Sequence, residues 1–293
     1  MARRTSIDTL LAPRAAALTG VLTAALAGEP EAVHQARVAS RRLREVLPAL
    51  AVGDERAWHA LRKDVRRVTR AFGAVREFDV ATGHFDETAA TTEMSAAARS
   101  TTRRALQVQR AAALRKARAT LTRARLLRLQ ARLDGLSAAT TADTGAVKAA
   151  MATRVVRRAR SVRKAVAGTG AVYMPARLHA VRIAVKRLRY ALEAGRDARG
   201  ARATSQLTQL RAIQDLLGRA HDLHVLAERV RDVQVTVVQR SRATARDLAV
   251  LARALDRECR ELHAAFMSRR HGLLTLSASL VTRAFAPRAR SVA

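Results

Sequence analysis

Cysteine, aromatic residues and long apolar runs are scarce in this chain of 293 residues. Cys259 is the only cysteine, so an intramolecular disulfide and a cysteine-based zinc site are both excluded. Aromatic residues make up only 3% of the chain, which leaves few platforms on which nucleobases stack. No apolar run approaches the roughly 20 residues that cross a bilayer. These absences predict a soluble, cytoplasmic protein without a membrane-spanning helix.

Acidic residues are also few. The chain has 24 of them against 55 basic residues, which leaves a formal net charge of +31. Such an excess repels itself in a folded protein unless anions screen it. A base-composition bias would explain why nearly all of the basic residues are arginines. It would not explain why acidic residues are not enriched in step. The charge balance therefore predicts an anionic partner.

Glycine and proline number only 13 and 5, whereas hydrophobic residues reach 49% of the chain. Alternating runs of β-branched residues are nearly absent, and the composition predicts an all-α protein with a sizeable core. A polar segment at 137–144 is expected to link two halves. The predicted helices, with ends good to about two to four residues, cover 5–27, 30–51, 54–82, 92–133, 145–167, 175–194, 201–230, 240–270 and 272–285.

One segment of the chain occurs twice. Residues 33–44 read VHQARVASRRLR and residues 178–189 read LHAVRIAVKRLR, at an offset of 145 residues. The same offset matches Pro30 with Pro175 and Gly73 with Gly218, so the register extends well beyond the segment. It predicts two helical repeats, about 5–136 and 145–285, that each form a four-helix-bundle-like half.

Each copy carries a histidine followed by basic residues three or four positions apart, which share one face of a helix. The apolar positions beside each stripe, such as Leu43 and Leu188, are expected to face the core. Like charges at this spacing destabilise an isolated helix by a few tenths of a kcal/mol per pair, roughly, and a bound anion would offset that cost. Arginine also offers forked donors that match phosphate oxygens. The stripes give the candidate ligands His34, Arg37, Arg41, Arg44, His179, Arg182, Lys186 and Arg189.

The following helix of each repeat adds two weaker candidates. Arg66 and Arg211 match by the offset, so both copies keep a positive charge there. The other basic residues of the first copy, such as Arg62 and Arg67, are expected to face solvent. Glu77 and Asp222 also match, and we interpret them as structural anions that orient neighbouring arginines. Solvated helix faces with a buried histidine are the alternative interpretation, and the second copy in register argues against it.

The pattern His-x-x-Arg-x-x-x-Arg/Lys-Arg-Leu-Arg, present twice, resembles the CHAD family, the conserved histidine α-helical domain. Residues 213–222 (IQDLLGRAHD) resemble that family's Gln-Asp-x-Leu-Gly segment, and residues 72–80 (FGAVREFDV) resemble its first-half equivalent. The resemblance covers roughly residues 5–285 and implies a single CHAD domain, with two four-helix bundles related by an internal pseudo-twofold axis.

The same resemblance implies a basic cavity or groove between the bundles, binding of inorganic polyphosphate and association with polyphosphate granules. Carried over residue by residue, it adds Arg42 and Arg187 to the candidate ligands. The chain departs from an all-arginine stripe at Lys186, and His221 stands where the first half has Arg76. The two halves are therefore expected to bind with unequal strength.

Other functions remain as alternatives at this point. The charge also permits a nucleic-acid-binding protein, or a scaffold that docks an acidic protein. The chain lacks a phosphate-binding loop and a Glu-x-Glu-x-Lys strand motif, so we expect no enzyme, with a phosphate-chain hydrolase as the alternative. Histidines at 221 and 224 without further ligands are weak evidence for a metal, so we expect no metal and no cofactor. The oligomeric state is left open.

Overall fold

Ten α-helices account for the regular structure of residues 10–51, 55–139, 143–198 and 205–285, the ranges that the computed structural model describes. This confirms the predicted all-α class. In chain order the helices are α1 (Ala12–Thr19), α2 (Leu22–Ala27), α3 (Pro30–Leu50), α4 (Glu55–Thr91), α5 (Ala96–Thr120), α6 (Arg123–Ala139), α7 (Thr144–Ala167), α8 (Pro175–Asp197), α9 (Ser205–Val237) and α10 (Arg242–Phe285).

Several helix ends follow from local chemistry. Pro30 and Pro175 each occupy a first helical position, where the missing N–H costs nothing. Ser95 caps α5 by accepting the backbone N–H of Ala98 at 3.2 Å. Gly28 ends α2 in the left-handed region with φ of 100°, a conformation that favours glycine.

Some predicted boundaries are wrong. The helix predicted to end at 82 runs through Gly83 to Thr91 as α4, and the helices predicted at 240–270 and 272–285 are one continuous helix, α10, through Gly272. Buried side chains such as Phe85 and Leu273 follow these glycines, and their burial outweighs the roughly 1 kcal/mol that glycine costs inside a helix.

Two other predicted helices are divided. The predicted helix 5–27 breaks at Gly20 and Val21, and residues 5–9 lie outside the described residues. The predicted stretch 92–133 breaks at Leu121 and Thr122, where α5 ends and α6 begins. The predicted linker 137–144 is shorter in the structure, because α6 reaches Ala139 and α7 begins at Thr144, with 140–142 outside the described residues.

The apolar faces of the helices form three clusters. The first is built from α1 through α6, the start of α7 and Ala194 of α8, and it includes Leu43. The second joins α7, α8 and the facing parts of α9 and α10, and it includes Leu188. Both residues are fully buried, which confirms the core-facing sides predicted for the two stripes. The third cluster combines the end of α4 with α5, α9 and α10, so it draws on both predicted repeats.

α3 and α8, the helices that carry the repeated segment, pack against each other. Each also packs against the long helix that follows it, α4 for α3 and α9 for α8. The pseudo-twofold axis and the division into two repeats stay predictions. No helix in the described ranges has the length and apolar character needed to cross a membrane.

Candidate functional site

The basic stripes of α3 and α8 face one shared space. Burial, Arg76, Arg37 and Lys186 all lower the pKa of His34, and burial, Arg182 and Lys186 lower that of His179. Both histidines thus lie within electrostatic reach of the same lysine. The two copies therefore turn towards each other rather than towards opposite outer surfaces.

Four basic side chains at the middle of this space form what we name the central cluster: Arg37, Arg41, Arg182 and Lys186. Burial first, and then the charges of the three arginines, lower the pKa of Lys186 from 10.5 to about 6, against the opposing effect of Asp222. Burial and the neighbouring arginines also lower the pKa of Arg37 to about 10. The cluster therefore holds like charges at close range, and an anion would relieve their repulsion.

Two glycines make room for two arginines of the cluster. A Cβ atom on Gly73 would lie 3.0 Å from Nη1 of Arg37, and one on Gly218 would lie 4.0 Å from Nε of Arg182. The two pairs occupy matching positions in the repeat. Gly73 thus has a packing reason, because an approach of 3.0 Å leaves little space for a side chain, whereas 4.0 Å at Gly218 is an ordinary van der Waals contact.

The guanidinium groups of Arg37 and Arg182 use only part of their hydrogen-bonding capacity within the protein. Nη1 of Arg37 donates to the carbonyl of Thr69 at 3.4 Å, and Nη2 of Arg182 donates to Oδ1 of Asp222 at 3.4 Å. The second contact confirms that Asp222 orients an arginine. Nε of Arg182 is buried and has no hydrogen-bond partner among the described residues. A buried donor without a partner costs roughly 1–3 kcal/mol, which a ligand oxygen would recover.

A groove of about 1110 Å³ opens beside the central cluster. Its walls come from α3, α4, α7 and α8, with Thr120 at the end of α5, and carry eleven basic side chains and a single carboxylate, Glu45. That carboxylate already accepts from Nε of Arg154 at 2.6 Å and from Nε of Arg158 at 3.0 Å. The cationic lining consists of Arg41, Arg44, Arg62, Lys63, Arg66, Arg67, Arg70, Arg154, Arg158, Lys186 and Arg187.

Nine of the twelve candidate ligands lie in the central cluster, beside it or in the groove. Arg41 and Lys186 belong to both the cluster and the groove. Burial and the charges of Arg66, Arg187 and Arg41 lower the pKa of Arg44 on the groove wall. The nine are His34, Arg37, Arg41, Arg44, Arg66, His179, Arg182, Lys186 and Arg187.

The other three candidates surround Glu193 and do not line the groove. Nη1 of Arg189 donates to Glu193 at 2.6 Å, and its Nε donates to Gln214 at 2.8 Å. Arg42 lies 3.5 Å and Arg211 3.9 Å from the same carboxylate. Glu193 carries one negative charge and balances that of Arg189, its nearest partner, whereas Arg42 and Arg211 lie farther away and are exposed.

Several residues of the site were not among the candidate ligands. Arg62 and Arg67 were expected to face solvent, yet they line the groove from α4. Arg154 and Arg158 come from α7, outside the repeated register, and no feature of their sequence separates them from other arginines of that helix. His221 on α9 was noted only as a departure, and its Nδ1 lies 3.1 Å from Nδ1 of His179.

The described residues contain no group of three or more histidine, cysteine or acidic side chains placed to hold a metal ion. Nε2 of His263 lies 3.1 Å from the carbonyl of Gly170, and the thiol of Cys259 is buried. Burial also raises the pKa of Cys259, which keeps the thiol protonated. Cys259 and His263 lie four positions apart on α10, and their contacts explain this spacing by helix packing.

The fold and the groove together define an all-α protein with a cationic groove beside two amphipathic helices, α3 and α8. Residues 9–231 match the family described as the CHAD domain. The chain belongs to this family, which confirms the resemblance of the repeated segment.

Two solved structures share the fold. The crystal structure of the CHAD domain from the plant Ricinus communis is 23% identical, with a TM-score of 0.61, and the match covers 94% of this chain and 91% of that one. PptA from Streptomyces chartreusis is 18% identical, with a TM-score of 0.61, over 96% of this chain and 99% of that one. Identities this low show the fold alone. No curated protein matches the chain.

Proposed function

We propose that this protein binds inorganic polyphosphate in the groove and the central cluster. The observation that carries the proposal is the lining of the groove, eleven cations against one carboxylate whose oxygens are already engaged. A linear chain of phosphates places one negative charge after another along such a channel. A compact anion would neutralise only a few of these cations and would leave the others repelling one another.

The central cluster would bind most strongly. Arginine heads offer paired donors to phosphate oxygens, and the buried Nε of Arg182 would gain its missing acceptor. Lys186 would take up a proton as phosphate approaches, because a nearby negative charge favours its charged form. Binding energy would thus come from relieving a repulsion that already exists in the free protein.

Nucleic acid is the less favoured ligand. Among the residues that line the groove, Tyr190 is the only tyrosine, phenylalanine or tryptophan, and the guanidinium of Arg189 lies 4.6 Å from its ring centroid. Single-stranded nucleic acids gain much of their affinity by stacking on aromatic rings. The groove therefore suits a polyanion without bases.

We propose a binding protein rather than an enzyme. A general base for phosphate hydrolysis needs a free carboxylate or a similar group within reach of a water molecule. Glu45, the carboxylate in the described groove, is engaged by Arg154 and Arg158. In cells, we propose that binding places the protein on polyphosphate granules in the cytoplasm, and a fluorescent fusion would test this.

The test compares binding of long-chain polyphosphate and of DNA at near-physiological salt. One variant changes the whole central cluster, Arg37, Arg41, Arg182 and Lys186, to glutamine. A matched control changes the same number of basic residues to glutamine at exposed positions outside the groove: Arg99, Arg104, Arg115 and Arg246.

We expect the wild-type protein to prefer polyphosphate to DNA, and the cluster variant to lose polyphosphate while keeping its helical circular dichroism. The control variant should keep most of its affinity for polyphosphate. Equal losses in both variants would mean that total charge, not the groove, binds the polymer. Equal affinity of the wild-type protein for both polymers would also contradict the proposal.

A further inference from the structure

A second depression, of about 670 Å³, adjoins the groove between the start of α4 and the helix α6. The two depressions share four wall residues on α4: His59, Arg62, Lys63 and Arg67. A polymer that leaves the groove across these residues therefore enters the second depression directly.

The second depression is cationic in its own right. Seven basic side chains line it against two carboxylates, Glu55 and Asp64. Asp64 is already engaged, because it accepts from Nη1 of Arg67 at 2.5 Å and from Arg132. The contact with Arg132 also ties α6 to α4, so the wall of the depression is held in place.

Two arginines of α6 add donors that no described carboxylate neutralises. Nη1 of Arg125 donates to the carbonyl of Thr120 at 2.7 Å, and Nε of Arg128 donates to the carbonyl of Ala124 at 3.3 Å. Both side chains are exposed and line the depression. A carbonyl contact leaves the positive charge uncompensated, so each arginine remains available to an anion.

We propose that the depression between α4 and α6 is the outer section of the phosphate-chain path. Short chains fill the groove and the central cluster alone, whereas long chains continue past His59 onto Arg125 and Arg128. The inference rests on the proposed polyphosphate binding and adds a dependence on chain length. Once the inner part of a chain is bound, its outer part meets α6 at a high effective concentration.

The experiment measures the affinity for tripolyphosphate and for long-chain polyphosphate by calorimetry. The variant is Arg125→Gln with Arg128→Gln. The matched control, Arg99→Gln with Arg104→Gln, removes the same charge from exposed positions of α5 that line neither depression. Arg132 is left unchanged because it anchors α6.

We expect the α6 variant to bind the long chain about three- to tenfold more weakly and tripolyphosphate as well as the wild-type protein does. The control should keep the long-chain affinity. If the α6 variant keeps it too, or if the control loses as much, the outer section does not exist although the groove still binds phosphate. If the wild-type protein binds neither chain, the proposed function itself fails.

Discussion

The imidazole rings of His179 and His221 meet with their Nδ1 atoms 3.1 Å apart and their ring planes tilted by 46°. At this distance one Nδ1 donates and the other accepts, so the pair shares a single proton between these atoms. Burial first, and then the charges of Arg182, His179, His224 and Lys186, lower the pKa of His221 to about 3. The pair thus links α8 to α9 in an uncharged form beside the central cluster.

The first prediction concerns stability in acid. The pKa of His221 falls from 6.5 to about 3 on folding, so the unfolded chain takes up a proton that the folded one refuses. Stability therefore decreases as pH falls through this range, by up to about 1.4 kcal/mol per pH unit from this residue.

His221→Asn tests this prediction. Its free energy of unfolding in urea should decrease less steeply between these pH values than that of the wild-type protein. The exposed His271→Asn is the control and should follow the wild-type protein. A His221 that titrates near 6.5 by NMR would contradict the prediction.

The second prediction concerns the pH dependence of binding. The pKa of Lys186 is about 6 in the free protein, and a bound polyanion raises it. At a pH above the pKa that Lys186 has in the free protein, Lys186 therefore takes up a proton when polyphosphate binds. The affinity for polyphosphate then falls as pH rises, by up to about tenfold per pH unit. The pKa values of His34, His179 and His221 are lowered, so these histidines are uncharged in the free protein over the range from pH 7 to 9, roughly.

Lys186→Arg should remove most of this dependence, because arginine keeps its proton throughout the range. Calorimetry in buffers of different ionisation enthalpy measures the uptake directly and should give close to one proton fewer for the variant. An unchanged pH profile in Lys186→Arg would show that another group takes up the proton.

The third prediction separates a structural arginine from a binding one. Arg189→Met leaves Glu193 and Gln214 without their main donor, so unfolding in urea should show a loss of about 1–3 kcal/mol. Its affinity for polyphosphate should stay within about threefold of the wild-type value.

Arg41→Met makes the same substitution as Arg189→Met, and we expect the opposite pair of effects on stability and affinity. It removes a like charge from the central cluster, so the free protein should be as stable as the wild-type protein or more so. Its affinity for polyphosphate should fall about tenfold, since it loses a charged contact. If the two variants exchanged these effects, the assignment of Arg189 to the fold would be wrong.

The fourth prediction concerns the carboxylate of the groove. Glu45→Gln leaves Arg154 and Arg158 without a counter-charge, so the free protein should lose about 2–4 kcal/mol of stability. Both arginines then become available to phosphate, and a negative charge leaves the groove. The affinity for polyphosphate should therefore increase by about three- to tenfold.

Glu193→Gln tests whether the gain belongs to the groove. Glu193 is as buried as Glu45 and also neutralises arginines, but it does not line the groove. Its variant should lose stability in the same unfolding assay without the increase in affinity. A similar gain in both variants would mean that overall charge alone sets the binding.

Local pattern predicted the helices that carry the site. Helical spacing and the repeat placed Leu43 and Leu188 on buried faces, and they put His34 and His179 on matching basic stripes. Long-range packing set what the pattern missed. α4 and α10 continue through their glycines because buried residues of distant helices cover the following turns.

By itself, the sequence determined an all-α chain with an excess of positive charge and two amphipathic basic helices, because helical periodicity depends only on residues a few positions apart. Only the tertiary structure decided which of the arginines remain free to bind. A charge is neutralised by whatever folding brings near it: Glu45 meets Arg154 from 109 positions away, whereas Glu193 meets Arg189 within one helical turn. The stripes look alike in sequence, yet Arg44 lines the groove, whereas its counterpart Arg189 is held by Glu193 and by Gln214 of α9.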